Sequence, residues 1–70
     1  MKKIVSSVAG RLAACHVAVG AQVRLADEVF TVESMKMEIP VESEVAGTVV
    51  QVLVGVGDDI DEGQDLAVLE

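Results

Sequence analysis

Ser6-Ser7-Val8-Ala9-Gly10 and Ser43-Glu44-Val45-Ala46-Gly47 stand 37 positions apart, and the match between them decides the fold. Carried outward without a gap, the same offset sets Val17, Val19 and Gly20 on Val54, Val56 and Gly57, and Glu33 on Glu70. Eight of thirty positions are identical. Apolar character is kept at Ile4/Val41, Leu12/Val49, Val23/Ile60, Val29/Leu66 and Val32/Leu69. A repeat of this period indicates two copies of one supersecondary unit, residues 4–33 and 41–70, sharing a core that neither closes alone.

Each copy reads as four short strands. In the first they are Ile4–Ser6, Arg11–Val17, Gln22–Leu25 and Glu28–Glu33; in the second, Ile39–Glu42, Thr48–Val54, Asp59–Asp61 and Asp65–Leu69. Alternation in the sixth strand puts Val50, Val52 and Val54 on one face, with Thr48 and Gln51 off it and Asp58 beyond its end. Fifteen valines, a single aromatic (Phe30) and no Trp or Tyr describe a core of small β-branched side chains suited to pleated sheet. Two interlocked four-stranded halves bury one valine core and shorten every exposed edge. The expectation is an all-β chain, a flattened β-barrel or sandwich of two four-stranded antiparallel sheets with pseudo-twofold symmetry, residues 1–70 forming a single domain.

Size and charge bound the function. A 7.3 kDa chain buries about 60% of its unfolded surface, which leaves no room for a catalytic cleft walled by its own core. Twelve acidic against five basic residues give a net charge of −7, arguing against nucleic acid or an anionic membrane as partner. The acid is concentrated: residues 1–35 carry net +1 and residues 36–70 net −8. One cysteine, Cys15, forms no intrachain disulfide, and no Cys/His spacing suits zinc. Lys2 and Lys3 before an apolar stretch, followed by Leu12-Ala13-Ala14-Cys15, imitate an export signal with a lipoprotein cleavage box. Arg11 interrupts that stretch, and cleavage before Cys15 would remove half of the first repeat. No apolar run approaches the roughly 18 residues of a spanning helix, so a soluble cytoplasmic chain is expected.

Seven residues, Ser34-Met35-Lys36-Met37-Glu38-Ile39-Pro40, fall between the copies, the last two merging into the fifth strand. So short a link is a tight hairpin, with Lys36 at its centre and projecting into water. Central hairpin positions favour positive φ, which neither Met nor Lys prefers, so local strain held by the flanking ladder is expected. The stretch Glu33-Ser34-Met35-Lys36-Met37-Glu38 resembles the attachment motif of biotinyl domains, the biotin carboxyl carrier family. The resemblance extends from about Ile4 to Glu70 and takes in the Gly20/Val23 and Gly57/Ile60/Gly63 turns, Ala46-Gly47 and the closing Leu66-Ala67-Val68-Leu69-Glu70.

That resemblance implies a barrel-sandwich hybrid whose hairpin lysine, Lys36 here, is covalently biotinylated. It implies three partners: a biotin protein ligase that supplies biotinyl-adenylate, a biotin carboxylase and a carboxyltransferase. The domain is then a carrier, not an enzyme. The chemistry agrees with the position, because a lysine amine is almost wholly protonated at neutral pH and needs an enzyme to bring it an activated acyl group. A rigid tip offers the amine at low entropic cost. Family resemblance further implies that Met35 and Met37 position the biotin, mainly in the carboxylase partnership.

The neighbours read more plainly. Glu33 and Glu38 are solvated strand residues, Pro40 marks an outward or edge position, Cys15 is a structural thiol on the buried face, and His16 has a surface or partly buried packing role. Asp58, Asp59, Asp61, Glu62 and Asp65 miss calcium-loop spacing and read as a solvated turn, with docking against a basic partner patch as the other reading. Ala21 and Ala26 stand where the family's turns show Asp and Gly, so that turn is expected to differ in shape. The gapless repeat leaves no place for a protruding thumb, and no Pro/Ala-rich linker or amino-terminal assembly segment is read within these residues. The chain reads either as a minimal stand-alone carrier or as the excised end of a longer carboxylase. A lipoyl carrier of a 2-oxo acid dehydrogenase-type complex is the alternative, disfavoured by methionine on both sides of Lys36. An unmodified efflux-adaptor hairpin would lack the lysine, and no nucleophile–base pair, carboxylate pair or metal cluster supports an independent enzyme.

Overall fold

The computed structural model describes residues 1–70 as eight strands: β1 (Lys2–Val5), β2 (Gly10–Cys15), β3 (Gln22–Val23), β4 (Glu28–Ser34), β5 (Met37–Glu42), β6 (Gly47–Val52), β7 (Asp59–Ile60) and β8 (Asp65–Leu69). One sheet has the order β1-β8-β6-β3 and the other β5-β4-β2-β7, all pairs antiparallel. The 37-residue offset carries β2 onto β6 and β3 onto β7 end for end, and so carries the first sheet's strand order onto the second's. Each sheet therefore mixes strands of both copies, which is why neither copy closes a core without the other. This is the all-β, two-sheet half-barrel expected. No helix is long and apolar enough to cross a membrane.

The core consists of Ile4, Leu12, Val23, Val29, Phe30, Val32, Val41, Val49, Ile60, Leu66, Ala67 and Leu69. Nearly all are aliphatic, and Phe30, the largest of them, has no exposed surface. The only buried polar side chains, Ser6 and Ser43, are repeat partners. Each hydroxyl donates to the carbonyl two residues on, Val8 at 2.6 Å and Val45 at 2.5 Å, and accepts from the amide of that same residue. Satisfied in this way, each serine turns the chain from one sheet into the other without an unpaired buried group.

One expectation needs correction. Pairing slips between Val49 and Gln51, leaving Val50 as a bulge, so Val49 enters the core and Val50 does not. Val52 and Val54 do pack against the core, as expected. A bulge inserts one unpaired residue and reverses the inside–outside phase. The same slip occurs at Ala13 in β2, the repeat partner of Val50. Ile39 and Pro40 lie in β5, as expected, and at the 37-residue offset they match Lys2 and Lys3 of β1. The stretch between the matched positions is Ser34–Glu38.

β1 pairs with the end of β8 (Lys2 opposite Leu69) and then leads towards Gly10, whose neighbour Arg11 lies opposite Glu33. The chain's two ends thus share one end of the molecule and the β4–β5 hairpin takes the other, along a long axis of 32 Å against 19 and 18 Å across.

Candidate functional site: the β4–β5 hairpin

From Phe30 opposite Val41, past a slip after Glu28, β4 and β5 form an unbroken ladder up to the turn: Val32 opposite Ile39, Glu33 opposite Glu38, Ser34 opposite Met37. Only Met35 and Lys36 remain to reverse the chain. Their φ angles are 52° and 65°, the left-handed pair that a two-residue type I′ turn requires. Neither residue favours this conformation, which costs roughly 1–2 kcal/mol per residue. The strain expected at the tip is present, and the six-pair ladder below holds it.

The tip has no core beneath it. Met35 is 92% exposed and Met37 64%, and Lys36 is exposed between them. The chain's one ion pair joins Lys3 and Asp65 at 3.3 Å, so the Lys36 ammonium is engaged by no carboxylate. Glu33 and Glu38 face each other directly across the ladder, both exposed. Like charges in that relation are unfavourable by a few tenths of a kcal/mol or more. Arg11 stands beside Glu33 on the next strand, and Asp59 beside Arg11. Sequence reasoning had not connected Gly10 or Arg11 with the hairpin; the Val-Ala-Gly repeat marked the position without indicating what it lies against.

Pro40 is exposed on β5, an edge strand, where a missing amide leaves no ladder bond unmade. His16 is exposed, its Nε2 2.9 Å from Thr31 Oγ1. Cys15, at the end of β2, is half-buried and packs against the core, as expected of a structural thiol; its thiol donates to the Val17 carbonyl at 3.1 Å. In the acidic run, an Asp58 carboxylate oxygen accepts from Gly55 N at 2.8 Å and Asp65 pairs with Lys3. No group of three or more His, Cys, Asp or Glu side chains is arranged to hold a metal ion. The first-copy turns do not differ in shape from their partners, contrary to expectation. Ala21 N bonds Ala18 O at 3.0 Å as Asp58 N bonds Gly55 O at 3.0 Å, and Ala26 adopts φ 71° where Gly63 has 83°. The surrounding ladder imposes the turn on both copies.

Residues 2–69 match a family model described as "Biotin-requiring enzyme", that of the biotin/lipoyl attachment domains. The chain belongs to this family. Among its relatives, a biotin/lipoyl attachment protein of Bacillus subtilis (strain 168) is 42% identical over 59 residues, covering 84% of this chain and 81% of that protein. A protein of Mycobacterium leprae (strain TN) described as a biotinylated protein TB7.3 homolog is 50% identical over 50 residues, 71% of this chain and 70% of the other. Among solved structures, Kluyveromyces lactis urea carboxylase superposes with a TM-score of 0.88 at 32% identity over 99% of this attachment domain. A single-chain, multi-domain long-chain acyl-CoA carboxylase superposes at 0.85 over 94% of it, and at 24% identity it attests the fold alone. The chain spans only 6% and 7% of those two carboxylases.

Proposed function

We propose that this chain is a biotin carboxyl carrier, a single attachment unit over residues 1–70, with biotin joined to Lys36 through an amide. The observation that carries the reading is the exposed, unpaired Lys36 amine at the tip of a rigid two-residue hairpin. Met35 and Met37 flank it as in the Met-Lys-Met motif of the family. The Mycobacterium leprae relative described as biotinylated and the urea carboxylase likeness support biotin over lipoate.

The residues present fit the group. The amine meets no ion-pair partner, and a prosthetic group on it encounters no wall. A ligase removes the ammonium proton, the Lys36 Nζ lone pair attacks an activated acyl carbon, the activating group leaves with its bonding pair, and the nitrogen gives up a second proton to solvent as the amide forms. One of the five positive charges is lost, and the net charge moves from −7 to −8. Once bound, biotin supplies a ureido nitrogen that takes up and gives up a carboxyl group. The hairpin's part is to hold the point of attachment clear of the body, so that active sites of a biotin carboxylase and a carboxyltransferase reach it in turn. Met35 and Met37 offer polarisable thioethers to those sites. The carrier itself performs neither reaction, and its proposed compartment is the cytoplasm.

Lys36→Arg tests this. Charge and reach are kept, but the guanidinium does not form the amide. The expected result is a chain with unchanged thermal unfolding that biotin ligase no longer labels, read by intact mass and streptavidin binding. Continued labelling at Lys2 or Lys3 would refute the assignment. So would a lipoyl adduct alone when both ligases are supplied.

A further inference from the structure

Gly10 lies 26 positions before Lys36, yet its Cα abuts the hairpin root. A methyl group added there would sit 2.9 Å from Val32 Cγ1, 3.0 Å from the Glu33 carbonyl carbon, and nearer than either to the Glu33 carbonyl oxygen. The obstacle is backbone and does not swing aside. On its other side β2 is fastened to β7: Gly10 opposite Ile60, Arg11 opposite Asp59, Leu12 N to Asp58 O at 2.9 Å and Gly57 N to Leu12 O at 2.8 Å. Relief must therefore come from β4 at Glu33, the strand residue two before Met35 and opposite Glu38.

We propose that Gly10 is a positioning residue for the acceptor hairpin: only a residue without a side chain lets β2 seat against the Glu33 carbonyl and fix where Lys36 is presented. The inference rests on the carrier reading for its functional consequence, but not for its structural one. The pseudo-twofold supplies a matched control. Gly47, the repeat partner, would place a methyl 2.5 Å from the Glu70 carbonyl oxygen and 3.4 Å from its carbon, at the end of the molecule away from the hairpin. Both substitutions crowd a backbone carbonyl of the neighbouring strand, Gly47→Ala with the added strain of a φ of 159°, so the control is the harsher to the backbone conformation; only Gly10→Ala crowds the strand leading to Lys36.

The experiment compares the wild-type chain, Gly10→Ala and Gly47→Ala by thermal unfolding, by biotin ligase kinetics and by amide chemical shifts of residues 33–38. Each is made with and without Ala26→Gly, a change at the other end of β4 from the hairpin tip that is expected to raise stability. Displacing the acceptor amine by about 1 Å lowers turnover on the order of 10²-fold. Gly10→Ala is expected to lose kcat to that extent with KM little changed, to shift the Met35–Met37 amides, and to stay poorly labelled when Ala26→Gly restores its unfolding temperature. Gly47→Ala is expected to lose stability while keeping its labelling and hairpin shifts. The proposal is overturned if Gly10→Ala labels at the wild-type rate, if Gly47→Ala loses labelling equally, or if stability and labelling return together. It is also overturned if Gly10→Ala fails to fold in the background where Gly47→Ala folds. Should the wild-type chain itself not be labelled, the carrier reading fails instead, and the hairpin chemical shifts still decide the role of Gly10.

Discussion

Ala26 occupies a backbone conformation that its repeat partner fills with glycine. Its φ is 71°, against 83° at Gly63, and both amides bond equivalent carbonyls: Ala26 N to Ser43 O and Gly63 N to Ser6 O, each at 2.8 Å. Nothing lies within 4 Å of a methyl placed at Gly63, so packing imposes no penalty on either choice and the difference is conformational. Holding alanine left-handed costs roughly 1–2 kcal/mol. Replacing it with glycine forfeits about 0.4–1 kcal/mol through the freer unfolded chain. The balance favours Ala26→Gly by about 0.5–1 kcal/mol, and for a domain of this length each kcal/mol moves the midpoint by about 4–8 °C. Thermal unfolding followed by far-ultraviolet circular dichroism is expected to show a rise of about 2–8 °C on that scale. Gly63→Ala is expected to show a fall of similar size, with biotin labelling unchanged in both variants. An unchanged or lowered midpoint for Ala26→Gly would refute the claim that the ladder, rather than the residue, dictates this turn.

Other outcomes follow from the same comparison of copies. Ala21→Asp rebuilds the side-chain bond that Asp58 makes to Gly55 N, this time to Ala18 N, and is expected to add about 0.5 kcal/mol, the lower end for an exposed bond, measured by urea denaturation. Phe30→Ala empties the centre of the core at a cost of about 3–5 kcal/mol. Set against a total of roughly 3.5–10 kcal/mol for 70 residues, it is expected to leave the chain unfolded or barely folded by circular dichroism. Met35→Asn suits the left-handed first position of the turn and is expected to raise the unfolding midpoint and keep ligase labelling, while slowing carboxyl transfer in a reconstituted carboxylase; full transfer rates would remove Met35 from the proposed roles.

Most of the fold was legible because the repeat is gapless. Once Val-Ala-Gly at positions 8–10 is laid on 45–47, β2 predicts β6, β3 predicts β7, and the strand bounds fall within a few residues of those seen. The bulges were not legible. Leu12-Ala13-Ala14 holds no polar side chain to report the change of phase, and in Val49-Val50-Gln51 the two adjacent valines leave open which of them faces the core. The turn at Ala26 was misjudged for a related reason. Residue preference is worth a kcal/mol or so, whereas the flanking bonds Asp27 N to Arg24 O at 3.1 Å and Arg24 N to the Asp27 carboxylate at 2.9 Å fix the geometry from both sides. Lys36 was readable because a two-residue reversal has nowhere to hide a side chain. The apposition of Gly10 to Glu33 was not, since it depends on which strands become neighbours after β1 crosses between the sheets.

The hairpin breaks two local rules at once, and this bears on what it is for. Met35 and Lys36 adopt left-handed angles that Asn and Gly adopt far more readily, and Glu33 and Glu38 oppose each other where unlike charges would stabilise. A hairpin chosen only to join two strands would satisfy both rules, as the paired serines and the Arg24–Asp27 turn satisfy theirs. Local rules are broken where another requirement outweighs the cost, here about 2–4 kcal/mol for the two left-handed residues together. That requirement is borne by the ladder from Glu28–Glu42 up to Ser34–Met37, and by β2 seated against Glu33 through Gly10. The stiffness of the shell beneath thus lets the tip be composed without regard to the fold, and an exposed amine between two exposed methionines is the composition that the proposed carrier role would ask of it.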